Sequence, residues 1–446
     1  MVESNGLPTP VSGPNVANGV DVDRIAVSPM APEKVASLAQ KIDLLSKAFT
    51  SGQAGARLQL MEAADALLAA VETPRETIFR YCWRNTTGFA VIETAIDLGI
   101  FRYLSNNDRP MSVAELATAT GADIVLLRRY RPIHLFQRIM KQLNAIHAVT
   151  ETSKDEYTSN NFSHTLTRTR YADAFPTITR TTQLAITAIP EFLRKTGYRD
   201  PANGLDCPFQ LGYNTQAAFF NFVGQDPVLS AQFNNLMSIY HQGRASWMDP
   251  DFYPVEERLL TDTTTDIADK ILLVDVGGGK GHDLAEFRAK WPNTPGRLIL
   301  QDQPAVLAEV VGSQLHESIE CMPHDFFTEQ PCKGARAYFL HSVLHDWPDA
   351  ICQKILAPLR AVMTPGYSRL LINENVIPDR GAQWQATGLD FVMLADFAGA
   401  ERTESQWTRL LHAAGFRILR IWAADRWSES LIECEVAVGG DEAVSN

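Results

Sequence analysis

The sequence predicts an α/β protein whose C-terminal part is a doubly wound, mostly parallel sheet and whose N-terminal part is mainly helical. Two observations carry this prediction. From Ile271 onward, short apolar runs alternate with segments of helical periodicity, which is the pattern of a sheet with helices on both faces. Before that point, apolar residues recur mostly three and four positions apart, as they do in helices that pack on helices.

Composition and periodicity divide the chain into four segments. Residues 1–30 are rich in Gly, Pro, Asn and Ser without periodicity, which predicts a disordered tail. Residues 31–200 are predicted to form the helical domain, residues 201–440 the sheet domain, and residues 441–446 a second tail. We find neither a secretory signal pattern nor an apolar run of 18 residues, so a cytoplasmic protein with no membrane association is expected.

Charge and cysteine content exclude several classes of function. The 446-residue chain has a formal net charge of −12 and no long basic run, which makes nucleic acid an improbable partner. Its six cysteines form neither a CxxC pair nor a cluster with zinc spacing, so no metal site is predicted. Cys321 and Cys332 could pair, but buried free thiols, as in a reducing compartment, are the favoured interpretation.

The helical domain contains one unusually apolar segment and one clear helix start. Residues 89–104 are apolar around most of a helical circumference, which predicts a buried helix that could lie at a subunit interface. Ser112 and Glu115 have the spacing of a capping box at the start of a further helix.

A second helix and a hairpin are predicted to follow. Residues 126–143 show helical periodicity, with Pro132 expected to mark a boundary or kink, and residues 145–158 resemble a short hairpin. Helix, helix and hairpin form a winged-helix-like arrangement, which in isolation suggests DNA binding. The basic residues here form one short run in an acidic chain, so a DNA-binding regulator is a disfavoured alternative.

The sheet domain is predicted from its strands, the first of which is a continuous apolar run at residues 271–276. Further strands are predicted at residues 297–302, 335–340, 369–374, 418–422 and 430–436, with helices at 282–290, 349–363 and 403–414. The aromatic-rich stretch 205–260 either joins the two domains or lines a pocket, and core packing is the simpler explanation for most of its residues. Candidate lining residues are Phe219, Met237, Trp247, Phe391 and Met393, although core packing explains each at least as well.

A glycine loop, Gly277-Gly-Gly-Lys-Gly281, directly follows the first strand. A P-loop is excluded because Lys280 is followed by glycine instead of Ser or Thr, and a dinucleotide fingerprint fits poorly because its third glycine would be His282. An acidic residue followed by GxGxG, which begins here at Asp275, is the remaining pattern and resembles that of methyltransferases that use S-adenosylmethionine (SAM). Asp302 ends the second strand, where a carboxylate can bind a ribose or cap the next helix.

Four ordered motifs carry a resemblance to a known family. They are Val274-Asp-Val-Gly-Gly-Gly-Lys-Gly281, Leu300-Gln-Asp-Gln-Pro304, Leu340-His-Ser-Val-Leu-His-Asp-Trp347 and Gly399-Ala-Glu-Arg-Thr403. Residues 85–440, and most strongly 271–416, resemble the SAM-dependent O-methyltransferases of the plant caffeate and flavonoid type and their fungal relatives. The resemblance implies a Rossmann-like class I methyltransferase domain preceded by a winged-helix-like dimerisation domain, and therefore a homodimer that acts on a hydroxylated small molecule.

The same resemblance implies roles for individual residues. SAM would be bound by Gly277, Gly278, Gly279, Asp302, Asp325, Phe326 and His341, where the glycines face its methionine part, Asp302 its ribose, and Asp325 and Phe326 its adenine. His345 matches the family's catalytic base, and Glu374 and Glu401 match the acidic residues that orient it. The family often has Lys where this chain has His341.

The chemistry of methyl transfer explains these residue types. The sulfonium is already activated, so the protein must position the acceptor and remove its proton. A phenol has a pKa of about 10 and a free imidazole about 6.5, so His345 is expected to take the proton as the methyl group moves. A helix N-cap or a buried hydrogen-bonding histidine is the alternative role for His345. A SAM-binding enzyme that catalyses dehydration or a pericyclic reaction without methyl transfer is the alternative function.

Overall fold

The structure is a computed structural model that describes residues 21–121, 133–240, 242–261, 270–310 and 315–437. The chain divides between Thr167 and Arg168 into two compact units, each of which is described by itself. In the described residues, no helix is both long and apolar enough to cross a membrane.

The N-terminal unit is mainly helical. Its helices are α1 (Val22–Ala26), α2 (Val35–Thr50), α3 (Ala56–Val71), α4 (Pro74–Phe79), α5 (Thr86–Asp97), α6 (Ile100–Ser105), α7 (Val113–Thr120), α8 (Ile133–Ala145) and α9 (Asn161–Thr165), with a 3₁₀ turn at Pro32–Lys34 and a π-helical segment at Arg80–Asn85. Helix α1 lies inside the predicted tail 1–30, and the backbone N–H of Met30 donates to Glu72 O at 3.0 Å. Part of that segment is therefore ordered, whereas residues 1–20 and the predicted tail 441–446 lie outside the described residues.

The apolar segment 89–104 forms two helices instead of the single buried helix that was predicted. Gly99, with φ of +69°, adopts a left-handed conformation that ends α5 and starts α6. In α5 only Gly88 and Ala95 are buried, whereas the shorter α6 buries Ile100, Phe101 and Leu104. The prediction of a fully buried helix is therefore wrong for α5 within this chain.

The end of this unit combines helices with a small antiparallel sheet. The side chain of Ser112 accepts the N–H of Glu115 at 3.2 Å and the carboxylate of Glu115 accepts the N–H of Ser112 at 2.8 Å, so the predicted capping box is present. Strands β1 (Met111–Ser112), β2 (Thr150–Ser153) and β3 (Glu156–Thr158) pair in the order β1-β3-β2. The described part of the second predicted helix begins at Ile133, and residues 122–132, with Pro132, lie outside the described residues.

The C-terminal unit starts about thirty residues before the predicted boundary at 200, because the helices after Arg168 pack into it. They are α10 (Thr169–Ala172), α11 (Ala174–Thr181), α12 (Gln183–Thr196), α13 (Pro208–Tyr213), α14 (Phe219–Gly224) and α15 (Pro227–Tyr240), followed by a π-helical segment at Glu256–Leu260. The hydroxyl of Thr182 donates to the buried carboxyl of Asp396 at 2.7 Å. Ala185 and Ile189 share an apolar cluster with Phe209, Phe219 and Ala395, so residues 168–200 belong to the sheet domain.

A seven-stranded sheet forms the centre of this unit. Its strands are β4 (Ile271–Val276), β5 (Arg297–Asp302), β6 (Ile319–Pro323), β7 (Ala337–His341), β8 (Arg369–Glu374), β11 (Phe416–Trp422) and β12 (Ser430–Val436), in the order β11-β12-β8-β7-β4-β5-β6. The five strands from β4 to β8 are parallel, and β12 is antiparallel to both of its neighbours. Two further strands, β9 (Val376–Ile377) and β10 (Arg402–Thr403), form a separate parallel pair.

Helices cover both faces of the sheet, which confirms the doubly wound prediction. The helices are α16 (His282–Lys290), α17 (Pro304–Val310), α18 (Asp349–Val362), α19 (Trp384–Phe397) and α20 (Glu404–Ala413). Successive strand residues point to opposite faces, so Val274 packs with α18 and α20 while Leu273 packs with α16. The carboxyl ends of β4, β5, β7 and β8 therefore meet at one edge.

The six cysteines are free thiols. Cys207, Cys332, Cys352 and Cys434 are buried as expected, whereas Cys82 and Cys321 are exposed.

Candidate active site

The glycine loop follows β4 directly, and its backbone requires glycine. Gly277 and Gly279 have φ of +75° and +57°, which side-chain-bearing residues rarely adopt. At Gly278 the constraint is steric, because a Cβ atom would lie 2.2 Å from Oδ2 of the buried Asp275. The loop therefore presents bare backbone at the end of the strand.

Asp302 lies beside this loop at the end of β5. Its Oδ2 accepts the N–H of Gly279 at 2.8 Å and its Oδ1 accepts the N–H of Gln303 at 2.7 Å. Burial raises the pKa of Asp302, although these two backbone N–H groups oppose the shift. The structure thus places Asp302, which was predicted to bind the ribose of SAM, in contact with the glycine loop, which was predicted to face the methionine part.

The predicted adenine segment follows β6. Phe326 is close to the loop, since a Cβ atom at Gly277 would lie 3.8 Å from its Cε1. Asp325 is exposed, and its Oδ1 accepts the N–H of Phe327 at 3.0 Å. A side-chain-free loop, a strand-end carboxylate and an aromatic ring are the groups that a nucleoside with an amino-acid tail requires, so these residues fit SAM.

His345 lies in a 3₁₀ turn, Leu344–Asp346, shortly after β7. Its Nδ1 is 2.7 Å from Oε1 of Glu401, a short, charge-assisted hydrogen bond between buried groups. Its Nε2 is 3.5 Å from Oδ1 of Asp346, which is too long for a strong hydrogen bond. The next helix, α18, has Pro348 as its N-cap, so His345 is not a helix cap.

Glu374, the last residue of β8, binds the backbone of the histidine turn. Its Oε1 accepts the backbone N–H groups of Val343, Leu344 and His345 at 3.0, 2.8 and 3.3 Å. Its Oε2 is 3.6 Å from Nδ1 of His345, so this carboxylate acts on the ring mainly through its charge. The three residues that were predicted to form the catalytic group therefore do come together.

The carboxylates determine the protonation of the ring. Burial by itself disfavours the charged imidazole, but Glu374, Asp346 and Glu401 outweigh it and raise the pKa of His345 to about 10. Burial also raises the pKa of the Asp346 carboxyl to about 6 and that of Glu374 above its ordinary value, although His345 opposes both shifts. Asp346 was not among the predicted site residues, although its place next to the histidine in the motif could have indicated it.

The Gly399–Glu401 segment is held against the histidine turn by backbone contacts. The N–H of Ala400 donates to His345 O at 2.9 Å, and a Cβ atom at Gly399 would lie 2.1 Å from that same oxygen. The N–H of Glu401 donates to Oδ1 of Asp390 at 2.9 Å. Glycine at position 399 is thus required for Glu401 to reach the ring.

His345, Glu374 and Glu401 also form a group that could bind a metal ion, because one donor atom from each lies within 4.8 Å of the others. In the structure these atoms bind one another and the backbone of the turn. The expectation that the site uses no metal remains a prediction, and unchanged activity in the presence of a chelator would support it.

His341, the last residue of β7, lies between two carboxylates. Its Nδ1 is 2.8 Å from Oδ2 of Asp283 and its Nε2 is 3.0 Å from Oε2 of Glu429. The sequence motifs did not indicate Asp283 or Glu429, which are 58 and 88 positions away in the chain. With both nitrogens hydrogen-bonded within the protein, a direct contact of this ring with SAM stays a prediction.

The candidate pocket residues are of two kinds. Phe219, Trp247 and Met393 are buried, and Phe219 packs against Phe209 and Phe397 with ring centroids 5.4 and 4.5 Å away. Met237 and Phe391 are exposed. Core packing therefore accounts for Phe219, and Trp247 lies in the core between the sheet and α16.

The chain is similar in sequence to known proteins. Residues 202–417 match the family model described as an O-methyltransferase domain. Methyltransferase cfoC of Aspergillus candidus is 38% identical over 377 residues, which are 84% of this chain and 90% of the relative. Demethylsterigmatocystin 6-O-methyltransferase of Aspergillus flavus is 35% identical over 77% of this chain and 84% of the relative.

Solved structures are similar to this chain over nearly its whole length. A structure described as a pericyclic reaction enzyme has a TM-score of 0.77 and 30% identity, and LepI in complex with SAM has 0.78 and 29%. OxaC in complex with SAH and oxaline has a TM-score of 0.76 and 26% identity. Each comparison covers 91% of this chain and 99% of the other.

The fold, the glycine loop and the strand-end carboxylate define a class I SAM-dependent methyltransferase domain. The chain belongs to the O-methyltransferase family, and SAM is its cofactor.

Proposed function

We propose that this enzyme transfers a methyl group from SAM to a hydroxyl of an aromatic, polyketide-type small molecule, with His345 as general base. The observation that carries the proposal is the short Nδ1–Glu401 contact of 2.7 Å, which leaves Nε2 as the ring nitrogen for an acceptor. Val343, two residues before His345, is also next to the glycine loop, since a Cβ atom at Gly277 would lie 3.1 Å from its Cγ2.

When bound, SAM supplies a methyl group activated by the sulfonium charge. Gly277, Gly278 and Gly279 would face its methionine part, and Asp302 would bind its ribose. Asp325 and Phe326 would face the adenine.

His345 and Glu401 would remove the proton of the acceptor hydroxyl. His345 Nε2 would take the hydroxyl proton, while Glu401 holds the proton on Nδ1 and stabilises the resulting imidazolium, as the carboxylate of a hydrolase triad does. A base with a pKa raised to about 10 is matched to a phenol of pKa about 10, so proton transfer between them is nearly balanced.

The acceptor class is supported by the relatives. One is named for 6-O-methylation of demethylsterigmatocystin, and OxaC was solved in complex with oxaline. We therefore propose a small hydroxylated aromatic product of secondary metabolism as the acceptor.

Product analysis tests the proposal. The purified chain is incubated with SAM and a panel of hydroxylated aromatic polyketides that includes demethylsterigmatocystin, and products are identified by mass spectrometry. A product that has gained one methyl group, with release of S-adenosylhomocysteine, is expected. His345→Gln should remove this activity while SAM affinity by calorimetry stays close to that of the unsubstituted enzyme; retained turnover contradicts the assignment of the base.

A second candidate function is a dehydration or pericyclic reaction in which SAM is retained. The similarity to a pericyclic reaction enzyme favours it. Under this alternative, the mass of the product equals that of the substrate or is lower by one water, and SAM is recovered unchanged.

We also propose that the chain works as a homodimer through its N-terminal unit. Three large apolar side chains within six residues, Ile78, Tyr81 and Trp83, are each more than half exposed there, as is Leu44, and exposed apolar side chains close together mark interaction surfaces. Light scattering should give twice the chain mass, and Trp83→Glu with Ile78→Glu should give monomers. Monomeric unsubstituted protein at micromolar concentration contradicts this proposal.

A further inference from the structure

The contacts of His341 favour the charged form of its ring. Neutral imidazole has one N–H, so one of its two nitrogens would turn a lone pair toward a carboxylate. Both nitrogens lie within 3.0 Å of a carboxylate oxygen, and only the imidazolium donates at both positions. The ring is 14% exposed, Asp283 21% and Glu429 6%, so the contact with Glu429 is the better shielded from water.

His341, Asp283 and Glu429 form a cluster whose members come from three separate parts of the chain around the glycine loop. Asp283 is the second residue of α16, whose N-cap is Gly281 of the glycine loop, and His341 ends β7. Glu429 immediately precedes β12, and it also accepts the amide N–H of Asn373 at 3.1 Å. The His341 ring therefore connects α16, the helix that follows the glycine loop, to the carboxyl end of β7 and to the start of β12.

The surrounding charges favour this protonated ring. Burial disfavours it, but Asp283 and Glu429 raise the pKa of His341 well above its ordinary value. The other charged groups nearby are Asp275 on β4, whose buried carboxyl has a pKa raised well above its ordinary value, and Arg244, whose Nη1 is 3.5 Å from Glu429. Removing the ring would leave the carboxylates of Asp283 and Glu429 facing each other.

We propose that His341 is a positioning residue for SAM binding, which holds the first turn of α16, and with it the glycine loop, through the two carboxylates that it bridges. It acts through Asp283 and not by contact with SAM. This inference rests on the proposed function, because the loop matters only if it binds SAM.

A double-mutant cycle tests the role of the bridge. His341→Gln removes the cation, and SAM affinity measured by calorimetry should fall by at least about fivefold, a typical size for coupled neighbours. Adding Asp283→Asn removes one of the opposed charges and should recover most of that loss. His412→Gln, the same substitution at an exposed histidine of α20, should leave SAM affinity unchanged.

A kinetic split and a spectrum separate positioning from general damage. His341→Gln should raise KM for SAM while kcat at saturating SAM stays near that of the unsubstituted enzyme. In protein with ¹³C-labelled histidine rings, one resonance that persists in His345→Gln should keep its imidazolium shift from pH 6 to pH 8. This measurement needs no variant at position 341 and so does not depend on whether that variant folds.

The possible outcomes are distinct. A His341 ring that titrates near pH 6.5, unchanged SAM affinity in His341→Gln, or no recovery in the double variant overturns the inference. Failure of the unsubstituted enzyme to bind SAM overturns the proposed function instead, and the imidazolium resonance would then still report on the bridge.

Discussion

His345 is surrounded by the carboxyl groups of Asp346, Glu374 and Glu401. Because their charges raise the pKa of the imidazole ring, they determine how methyl transfer depends on pH. With its pKa raised to about 10, the ring is mostly protonated at neutral pH and cannot accept a proton in that form. The fraction of free base grows as pH rises, so kcat/KM should increase with pH up to about 10 and then level off.

Glu374→Gln should move this pH dependence to lower pH. The amide oxygen can still accept the N–H groups of the histidine turn, but the negative charge 3.6 Å from Nδ1 is lost. Since a charge at such a distance typically shifts a pKa by about 1–3 units, the rising limb of kcat/KM should shift down by at least about one unit. Glu404→Gln, at an exposed position of α20, is the matched control, and identical profiles for both variants would contradict the role of Glu374.

Gly399 should tolerate no side chain. Gly399→Ala places Cβ 2.1 Å from His345 O, so the turn must move and the Glu401–His345 contact must lengthen. We expect kcat to fall by about 10² or more, the size that loss of an oriented base brings. Gly388→Ala in α19 meets nothing within 4 Å and should be neutral or slightly stabilising, so equal effects of both alanines would be evidence against this geometry.

At the scale of elements, the strands whose ends carry the site were predictable because of their burial. Strands β4, β5 and β8 have the predicted bounds because each contains a buried run of consecutive apolar residues. Strand β12 also has its predicted bounds, although Glu433 and Glu435 interrupt its apolar residues. Strand β6 was missed because it is an edge strand with alternating burial and a proline at its end. The bridge of His341 was missed for another reason, since pairing over such separations is set by the topology and leaves no local pattern.

The capping box of α7 gives a test at this scale. Ser112→Ala removes the acceptor for the N–H of Glu115, which should destabilise the start of the helix by about 1 kcal/mol. Hydrogen exchange of residues 113–120 should become faster. Thr118→Ala removes a hydroxyl that bonds only within its own helix, so it is a suitable control, and equal protection in both variants would contradict the importance of the cap.

At the scale of the whole molecule, a single buried acid should make stability depend on pH. Asp396 is 1% exposed, accepts the hydroxyl of Thr182, and has no hydrogen-bond partner for Oδ1 among the residues described. Burial raises its pKa to about 8, against about 3.9 in the unfolded chain. Between these values the unfolded state releases a proton that the folded state keeps, so its contribution to stability falls as pH rises from about 4 to 8.

Asp396→Asn should remove this dependence. The variant and the unsubstituted enzyme should have similar thermal stability near pH 4, and the variant should be more stable at pH 8 by an amount on the order of a few kcal/mol. Thermal unfolding across this range measures the difference. Asp206→Asn at an exposed position serves as the control, and a constant difference between Asp396→Asn and the unsubstituted enzyme at all pH values would show that Asp396 is not held protonated.

The place of β12 in the sheet has a consequence for biosynthesis. This strand is made after every other strand of the sheet, yet it lies between β8 and β11 and directly follows Glu429. A nascent chain that has emerged only as far as β11 has a sheet with a gap in it and lacks the second carboxylate that binds His341. The sheet, and with it the carboxylate of Glu429 beside His341, is therefore complete only after residue 436 has left the ribosome, and until then the edge of β8 is open to pairing with other chains.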